Sequence, residues 1–394
     1  MRIAVVSREF PPASGSGGIG TYTEKTAHAL ATMGQDVHVF TEGDPGESCT
    51  TSAGAHIHVV PEIRARPDER RAVLRALAVS RALRKTGPFD IVQACEWGAE
   101  AFAYAPRRAG LLITRLATPA YVVNRLNGMS ARARLRTAVV GRLERLQARW
   151  SDHVISPSRS LADMVGRDWG LDPRRMTVVP TGIEIPIADP TRIPAYLSGK
   201  RFVLYFGRLE RRKGVKTWID ALRDVLDNDP ELWAVFAGQD LGLGGTPVHE
   251  YARDLLGPRM ARVVFLPRLP HSELFPLISA STLVAMPSVW ESLANACLEA
   301  MALGKPVIAT SGSGFGEVIR DRVNGFLVGP EDSNALARTA IDALADPIRL
   351  AQVGQAAAAR ASDFALDKMA GRLLELYGQL IGPRPSPAVA RALG

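Results

Sequence analysis

Short apolar runs alternate with amphipathic stretches along nearly all of the 394-residue chain, a pattern that predicts parallel α/β layers. In the first half, Arg2–Ser7, Asp36–Thr41, Ile57–Val60, Ile91–Ala94, Leu111–Arg115, His153–Ser156 and Thr177–Val179 read as strands. Helical patterns fall between them, among them Ile19–Met33, with Gly34 placed to stop it. Thr181–Lys200 has few helix signals and carries Pro186, Pro190 and Pro194, so it reads as a linker. The pattern then restarts. Phe202–Phe206, Leu232–Ala237, Val263–Leu266, Leu283–Met286, Pro306–Ala309 and Gly325–Val328 form a second set of strands, and Ser292–Leu303 is the most regular helix. The fold class expected is α/β, with two Rossmann-like doubly wound domains, residues 1–182 and 201–364, joined by a linker over 183–200. A last amphipathic helix over 365–382 and a loose tail over 383–394 complete the expected organisation. Ligands in such folds sit beyond the carboxyl ends of the strands, which makes a cleft between the two domains the expected site.

Composition narrows the class without naming a reaction. Apolar residues make up 46% and charged residues 22%, as in ordinary globular proteins. The opening MRIAVVSREF has too short an apolar run for a signal peptide, and no stretch approaches the roughly 18 apolar residues of a membrane span, so a cytoplasmic protein is expected. Cys49, Cys95 and Cys297 have no metal-like or redox-like spacing, and the seven histidines form no H-x-x-x-H pair, so the spacing proposes no metal. The net charge of +8 is unevenly placed: ten arginines and a single acid, Glu144, lie between Arg107 and Arg149. Such a stretch suits a solvated helix face, a phosphorylated ligand or an anionic membrane. Within it Leu135, Val139, Leu143 and Leu146 keep helical spacing, which fits peripheral contact with a membrane. No basic motif interleaved with aromatics appears, so no nucleic-acid partner is expected.

Three constellations carry chemistry. In YFGRLERRKG, Arg208 follows a strand end and Lys213 opens a helix; a guanidinium fork, a mobile ammonium and a helix N-terminus together suit a diphosphate. Arg211 and Arg212 read as surface charges. In WESLANACLEAMALGKPVIAT, Glu291 sits in the loop after a strand and Glu299 follows with seven residues between them, in an apolar helix. A carboxylate there would need hydroxyl donors such as a ribose diol, while Glu291 and the backbone N–H groups of Ser292, Leu293 and Ala294 suit a sugar. In PPASGSGGIGTYTE, closely spaced glycines before a helix let the backbone approach an anion. Gly15, Gly17 and Gly20 also satisfy G-x-G-x-x-G with Glu42 downstream, which keeps a dinucleotide site open, although seven residues separate the strand from the first glycine. Asp227-Asn228-Asp229 matches a D-x-D metal pattern but stands where a helix gives way to a turn, and reads as turn chemistry.

Taken in order along nearly the whole chain, the N-terminal glycine loop, VVPTGIE, FGRLERRKG, FAGQD, E-x7-E with ALGKPVIAT, GEVI and NGFLV resemble the retaining glycosyltransferases of family 4 on the GT-B scaffold. The resemblance implies a nucleotide-diphosphate sugar as co-substrate; with Asp227-Asn228-Asp229 read as a turn, no catalytic metal and no further cofactor are expected. It implies that Arg208 and Lys213 hold the donor diphosphate, Glu291 the donor sugar and Glu299 the ribose. It further implies that Gly17 and Gly18 face the β-phosphate or the acceptor, that Arg268 and Leu269 frame the base, and that the last helix crosses back to the first domain. Members of the family commonly carry a histidine near the end of LLITRLATPAYVV, where this chain has Ala117 between Arg115 and Thr118. These three residues, with Glu96 and Trp97 of QACEWGAEA, are the acceptor-side candidates; a secondary metabolite, a lipid or a saccharide all remain possible acceptors. A sugar-nucleotide-binding homologue without catalysis, and an epimerase or phosphorylase, are the competing readings of the same fold.

Overall fold

A computed structural model describes residues 1–11, 17–43, 49–65, 68–126 and 131–382, with the side chains of residue 68 and residues 131–137 left undescribed. The chain divides into two compact units, Met1–Gly182 with the C-terminal residues from Leu366, and Ile183–Ala365.

The first unit is built on an eight-stranded sheet: β1 (Arg2–Val6), β2 (Asp36–Gly43), β3 (Cys49–Thr50), β4 (His56–Pro61), β5 (Ile91–Cys95), β6 (Leu111–Arg115), β7 (His153–Ser156) and β8 (Met176–Val178). Their spatial order is β3-β4-β2-β1-β5-β6-β7-β8, parallel except for β3. The central strands β1 and β5 are buried and mostly apolar, Arg2 and Gln93 excepted, because helices cover both faces of a parallel sheet. Those helices are α1 (Gly18–Thr32), α2 (Asp68–Thr86), α3 (Ala120–Leu126), α4 (Ala131–Trp150) and α5 (Arg159–Trp169). Ser158 caps α5 by accepting from Leu161 N at 3.2 Å, and Gly170 ends it at φ 64°.

The second unit repeats the plan with β9 (Phe202–Phe206), β10 (Leu209–Glu210), β11 (Trp233–Ala237), β12 (Asp240–Gly242), β13 (Val263–Leu266), β14 (Leu283–Met286), β15 (Val307–Thr310) and β16 (Phe326–Val328). Six of these form one parallel sheet in the order β13-β11-β9-β14-β15-β16, and β10 pairs with β12 apart from it. Its helices are α6 (Val215–Asn228), α7 (Val248–Leu256), α8 (His271–Ala280), α9 (Asn295–Ala302), α10 (Phe315–Val318), α11 (Ser333–Ala345) and α12 (Pro347–Ala361). In α6, Val215, Trp218, Ile219, Leu222, Val225 and Leu226 recur at helical spacing and are all buried, each adding roughly 1.5–3 kcal/mol where a full aliphatic or aromatic side chain leaves water.

The chain then returns to the first unit as α13 (Leu366–Ile381), which packs against α1 and places Leu373 and Tyr377 in the core with Ile3 and Val5. Tyr377 donates to Gln93 Oε1 at 2.7 Å and Gln93 Nε2 donates to Tyr22 Oη at 3.3 Å, so the polar residue in the middle of β5 is satisfied from two helices. The expected tail, 383–394, lies outside the described residues.

Candidate active site

In the second unit the strand order reverses at β9, flanked by β11 on one side and β14 on the other. A doubly wound sheet opens its ligand crevice beyond the carboxyl ends of the strands at such a reversal. The loops leaving β9 and β14 carry the predicted cations and the predicted carboxylate. The buried Tyr205 hydroxyl lies 3.1 Å from both Arg208 O and Lys213 O and fixes the two ends of the first loop. Gly214 then closes that loop at φ 72°, and a Cβ there would stand 1.8 Å from Pro287 O of the second loop. Val289 N donates to Arg212 O at 2.9 Å and binds the two loops together.

That lacing brings Lys213 Nζ to 2.5 Å from Glu291 Oε1, although 78 residues separate them in sequence. Burial works to raise the Glu291 pKa, but the Lys213 charge and hydrogen bond, the Arg212 charge and a hydrogen bond to Ser288 outweigh it and hold the carboxyl below its ordinary range. Arg208 Nη2 and Arg212 Nη2 each lie 3.1 Å from Glu210 Oε1. The Arg208 side chain is 52% exposed and that of Arg212 only 15%, so the first is open to a ligand and the second is part of the frame. The expectation of surface charge therefore holds for Arg211, at 80% exposure, and fails for Arg212. Glu210 and Arg212 are the members of this site that sequence reasoning passed over, because a run of charges after a strand end does not say which one folds inward.

The predicted helix Ser292–Leu303 is corrected at its start: α9 begins at Asn295. Gly314 N donates to Glu291 O at 2.9 Å, and a Cβ on Gly314 would meet Ser292 O at 2.4 Å, so backbone from the loop after β15 packs closely on the bend at Ser292 and Leu293 that leads into the helix. Glu299 stands in the second turn of α9, half-buried. Asn295 Oδ1 and Ser313 Oγ are buried beside this approach and have no hydrogen-bond partner among the described residues, which leaves both to be met by water or by a ligand. Arg268 and Leu269 follow β13, the edge strand two places from β9, with Arg268 exposed and Leu269 half-buried.

In the first unit the order reverses between β1 and β5. After β1, Glu9 accepts from Gly17 N at 3.0 Å and Gly20 N at 3.3 Å, placing a carboxylate at the N-terminus of α1. A Cβ on Gly17 would fall 2.5 Å from that carboxylate, whereas one on Gly18 would meet open space. Gly15 of the candidate dinucleotide pattern lies outside the described residues, and Glu42, the acid downstream of that pattern, is drawn to Arg75 Nη1 at 3.4 Å and Arg8 Nε at 3.6 Å.

The acceptor-side candidates separate by exposure. Glu96, after β5, is fully buried and accepts from Ala117 N with both carboxylate oxygens, at 2.9 and 2.8 Å. Glu144 is buried as well and accepts from Gly98 N and Ala120 N at 3.1 Å each. Burial pushes Glu96 up to about 7 against the pull of its hydrogen bonds; burial and the Glu96 charge push Glu144 up to about 8. The two acids staple the loops that carry Gly98, Ala117 and Ala120, a role that sequence spacing did not reveal. Arg115 is also buried: it donates to Val179 O and to Thr181 Oγ1 and lies over the Tyr22 ring at 4.5 Å. Trp97, at 36% exposure, and half-buried Thr118 are the candidates with side chains open to a ligand.

Fixed cations beside a desolvated carboxylate at a sheet reversal suit the transfer of a group that leaves as a phosphate. Two families match nearly end to end: Glycosyltransferase Family 4 over residues 16–185 and Glycosyl transferases group 1 over residues 192–360. The chain belongs to the family 4 glycosyltransferases. This glycosyltransferase is 28% identical to a D-inositol 3-phosphate glycosyltransferase of Acidothermus cellulolyticus over 97% of its own length and 90% of the relative's. It is 29% identical to the protein of that name from Actinosynnema mirum, over 96% and 97% of the two chains. Among solved structures it superposes on sucrose-phosphate synthase from Thermosynechococcus elongatus with a TM-score of 0.77 at 24% identity, over 96% and 98% of the two chains. Anabaena HepE in complex with UDP-glucose follows at 0.72 and 22%, over 95% and 99%. The glycosyltransferase therefore has the GT-B fold of two Rossmann-like domains.

Proposed function

We propose that this glycosyltransferase moves a sugar from a nucleoside-diphosphate sugar to an acceptor hydroxyl with retention of anomeric configuration. The observation that carries the reading is the Lys213–Glu291 pair, held by two laced loops at the strand reversal with Arg208 open beside it. Arg208 and Lys213 bind the diphosphate and stabilise the charge that grows as the bond from C1 to the phosphate oxygen breaks, electrostatic stabilisation of the kind that contributes several kcal/mol. The acceptor oxygen forms its bond to C1 on the face from which the diphosphate departs. Its proton passes to the leaving phosphate oxygen, so no protein acid or base is consumed. Glu291 accepts hydroxyl hydrogen bonds from the donor sugar, and Glu299 from the ribose. Two side-chain cations in this role make catalysis metal-independent, with no cofactor beyond the co-substrate.

UDP in the HepE complex, and relatives named for an inositol phosphate, favour a UDP-sugar donor and a polar hydroxylated acceptor as the first pair to assay. Proton NMR of the first-formed product decides the stereochemical part: the reading requires the donor's anomeric configuration, and an inverted product contradicts it. Exposed Val139, Leu146 and Trp150 share α4 with exposed Arg142, Arg145 and Arg149, which favours, as a second element, peripheral contact with an anionic membrane. Among the described residues no helix is long and apolar enough to cross a membrane. Leu135, part of the predicted apolar stripe, has a side chain outside the described set.

A further inference from the structure

At the amino ends of the strands of the first unit, opposite the carboxyl ends where Glu9 and Glu96 lie, the sheet gathers imidazoles that the sequence scatters. Register places His38 of β2 directly against His56 of β4. Strand alternation then puts Asp36 and His38 on one face of β2, and His56 and His58 on the same face of β4. The antiparallel β3 adds Thr50, paired with His56. From this geometry we infer that Asp36, His38 and His56 form a binding site for a divalent transition-metal ion of the zinc class.

The donor set is a carboxylate and two imidazoles, the chemistry that Zn²⁺ accepts in tetrahedral sites that keep one position for water. One ligand atom from each residue lies within 4.8 Å of the other two. His38 Nε2 is 3.0 Å and His56 Nε2 3.8 Å from Asp36 Oδ1. Tetrahedral ligation at about 2.0–2.2 Å needs ligand atoms roughly 3.3 Å apart, so small rotations of the exposed Asp36 and His56 side chains close the site. The outer contacts are of the kind that orient metal-bound imidazoles. His38 Nδ1 lies 2.8 Å from His58 Nε2, and His56 Nδ1 lies 3.2 Å from Thr50 Oγ1. Protons on both Nδ1 atoms satisfy these contacts and leave both Nε2 lone pairs directed at the cluster.

A cation already answers that arrangement. Arg2 Nε lies 3.2 Å from Asp36 Oδ2 and 3.4 Å from His38 Nε2. Its guanidinium sits over the Phe89 ring on a half-buried side chain and competes with a metal for the same two ligands. The site ties β4, next to the edge of the sheet, to β2, so metal occupancy stabilises the first unit without touching the transfer chemistry.

The test is Zn²⁺ titration of the full chain, free of any histidine tag, by calorimetry and by competition with a chromophoric chelator, alongside thermal melting. The parent chain is expected to bind one equivalent and to melt higher with Zn²⁺. His56→Ala and Asp36→Asn, both at exposed positions, each weaken binding by at least about tenfold, and Arg2→Gln shifts the affinity the other way by removing the competing cation. Glycosyl transfer by the metal-free protein equals that of the parent in the His56→Ala variant. Absence of stoichiometric binding, or affinity unchanged in all three variants, overturns the inference.

Discussion

Lys213 Nζ and Glu291 Oε1 lie 2.5 Å apart on loops from adjacent strands of the second unit, and Glu291 is held ionised there despite its burial. A paired carboxylate next to an ammonium keeps the loop preorganised before a donor arrives, and leaves Arg208 half-exposed to meet it. The arrangement rests on backbone contacts that only glycine permits.

Gly214→Ala tests that support. The position has φ 72°, and the added Cβ would collide with Pro287 O, so the two loops must separate. Backbone strain of this type costs of order 1–3 kcal/mol. The variant is expected to melt lower and to lose donor affinity while retaining its far-UV circular dichroism. Unchanged donor affinity shows that the lacing of the loops does not build the site.

Glu144→Gln reads the buried acid pair through pH. With folded-state values raised to about 7 for Glu96 and about 8 for Glu144, the folded protein holds protons that the unfolded chain has released from about pH 4.5 upward. Folding stability supplied by these protonated acids is therefore lost as pH rises from about 4.5 to 8, at up to about 1.4 kcal/mol per pH unit for each group. The glutamine variant is expected to gain stability relative to the parent across that window. Chemical denaturation at pH 5 and pH 8 measures it, and a parallel pH response in both proteins refutes the assignment.

Much of the fold was legible because parallel strands buried on both faces must be continuous apolar runs. Leu111–Arg115, His153–Ser156, Phe202–Phe206, Val263–Leu266 and Leu283–Met286 have the same limits in the structure as in the sequence pattern. The two-residue strands β3 and β10 leave too little periodicity to detect, and β12, Asp-Leu-Gly, carries turn residues where an apolar run would have marked a strand. Residues Ser292–Ala294 match a helical pattern but are kept out of the helix by Gly314, a contact made across the loop after β15. At the candidate site, Arg208, Lys213 and Glu291 stood out by residue type and by their places at strand ends. The burial of Glu96 and Arg115 and the inward turn of Arg212 did not, because each depends on a partner distant in sequence or on which way a loop turns. The Asp36–His38–His56 cluster needs strand register, which no local spacing records.

The exposed Val139, Leu146 and Trp150 on α4, set among Arg142, Arg145 and Arg149, are expected to bind vesicles rich in anionic lipid. Sedimentation should show binding that weakens as salt rises, through screening of the arginines over about 8–10 Å. Replacing the three arginines with glutamine should abolish it. Equal recovery with neutral and anionic vesicles removes the membrane from the account.

The most direct measurement of the central claim is calorimetric binding of UDP, GDP, ADP and dTDP to the parent chain and to Lys213→Ala. One of these diphosphates is expected to bind the parent, with affinity at least about tenfold lower in the variant and turnover reduced by more than that, because a cation facing developing charge is lost. Diphosphate affinity unaffected by the substitution, together with turnover within about threefold of the parent, would contradict a phosphate-binding role for the loop that follows β9.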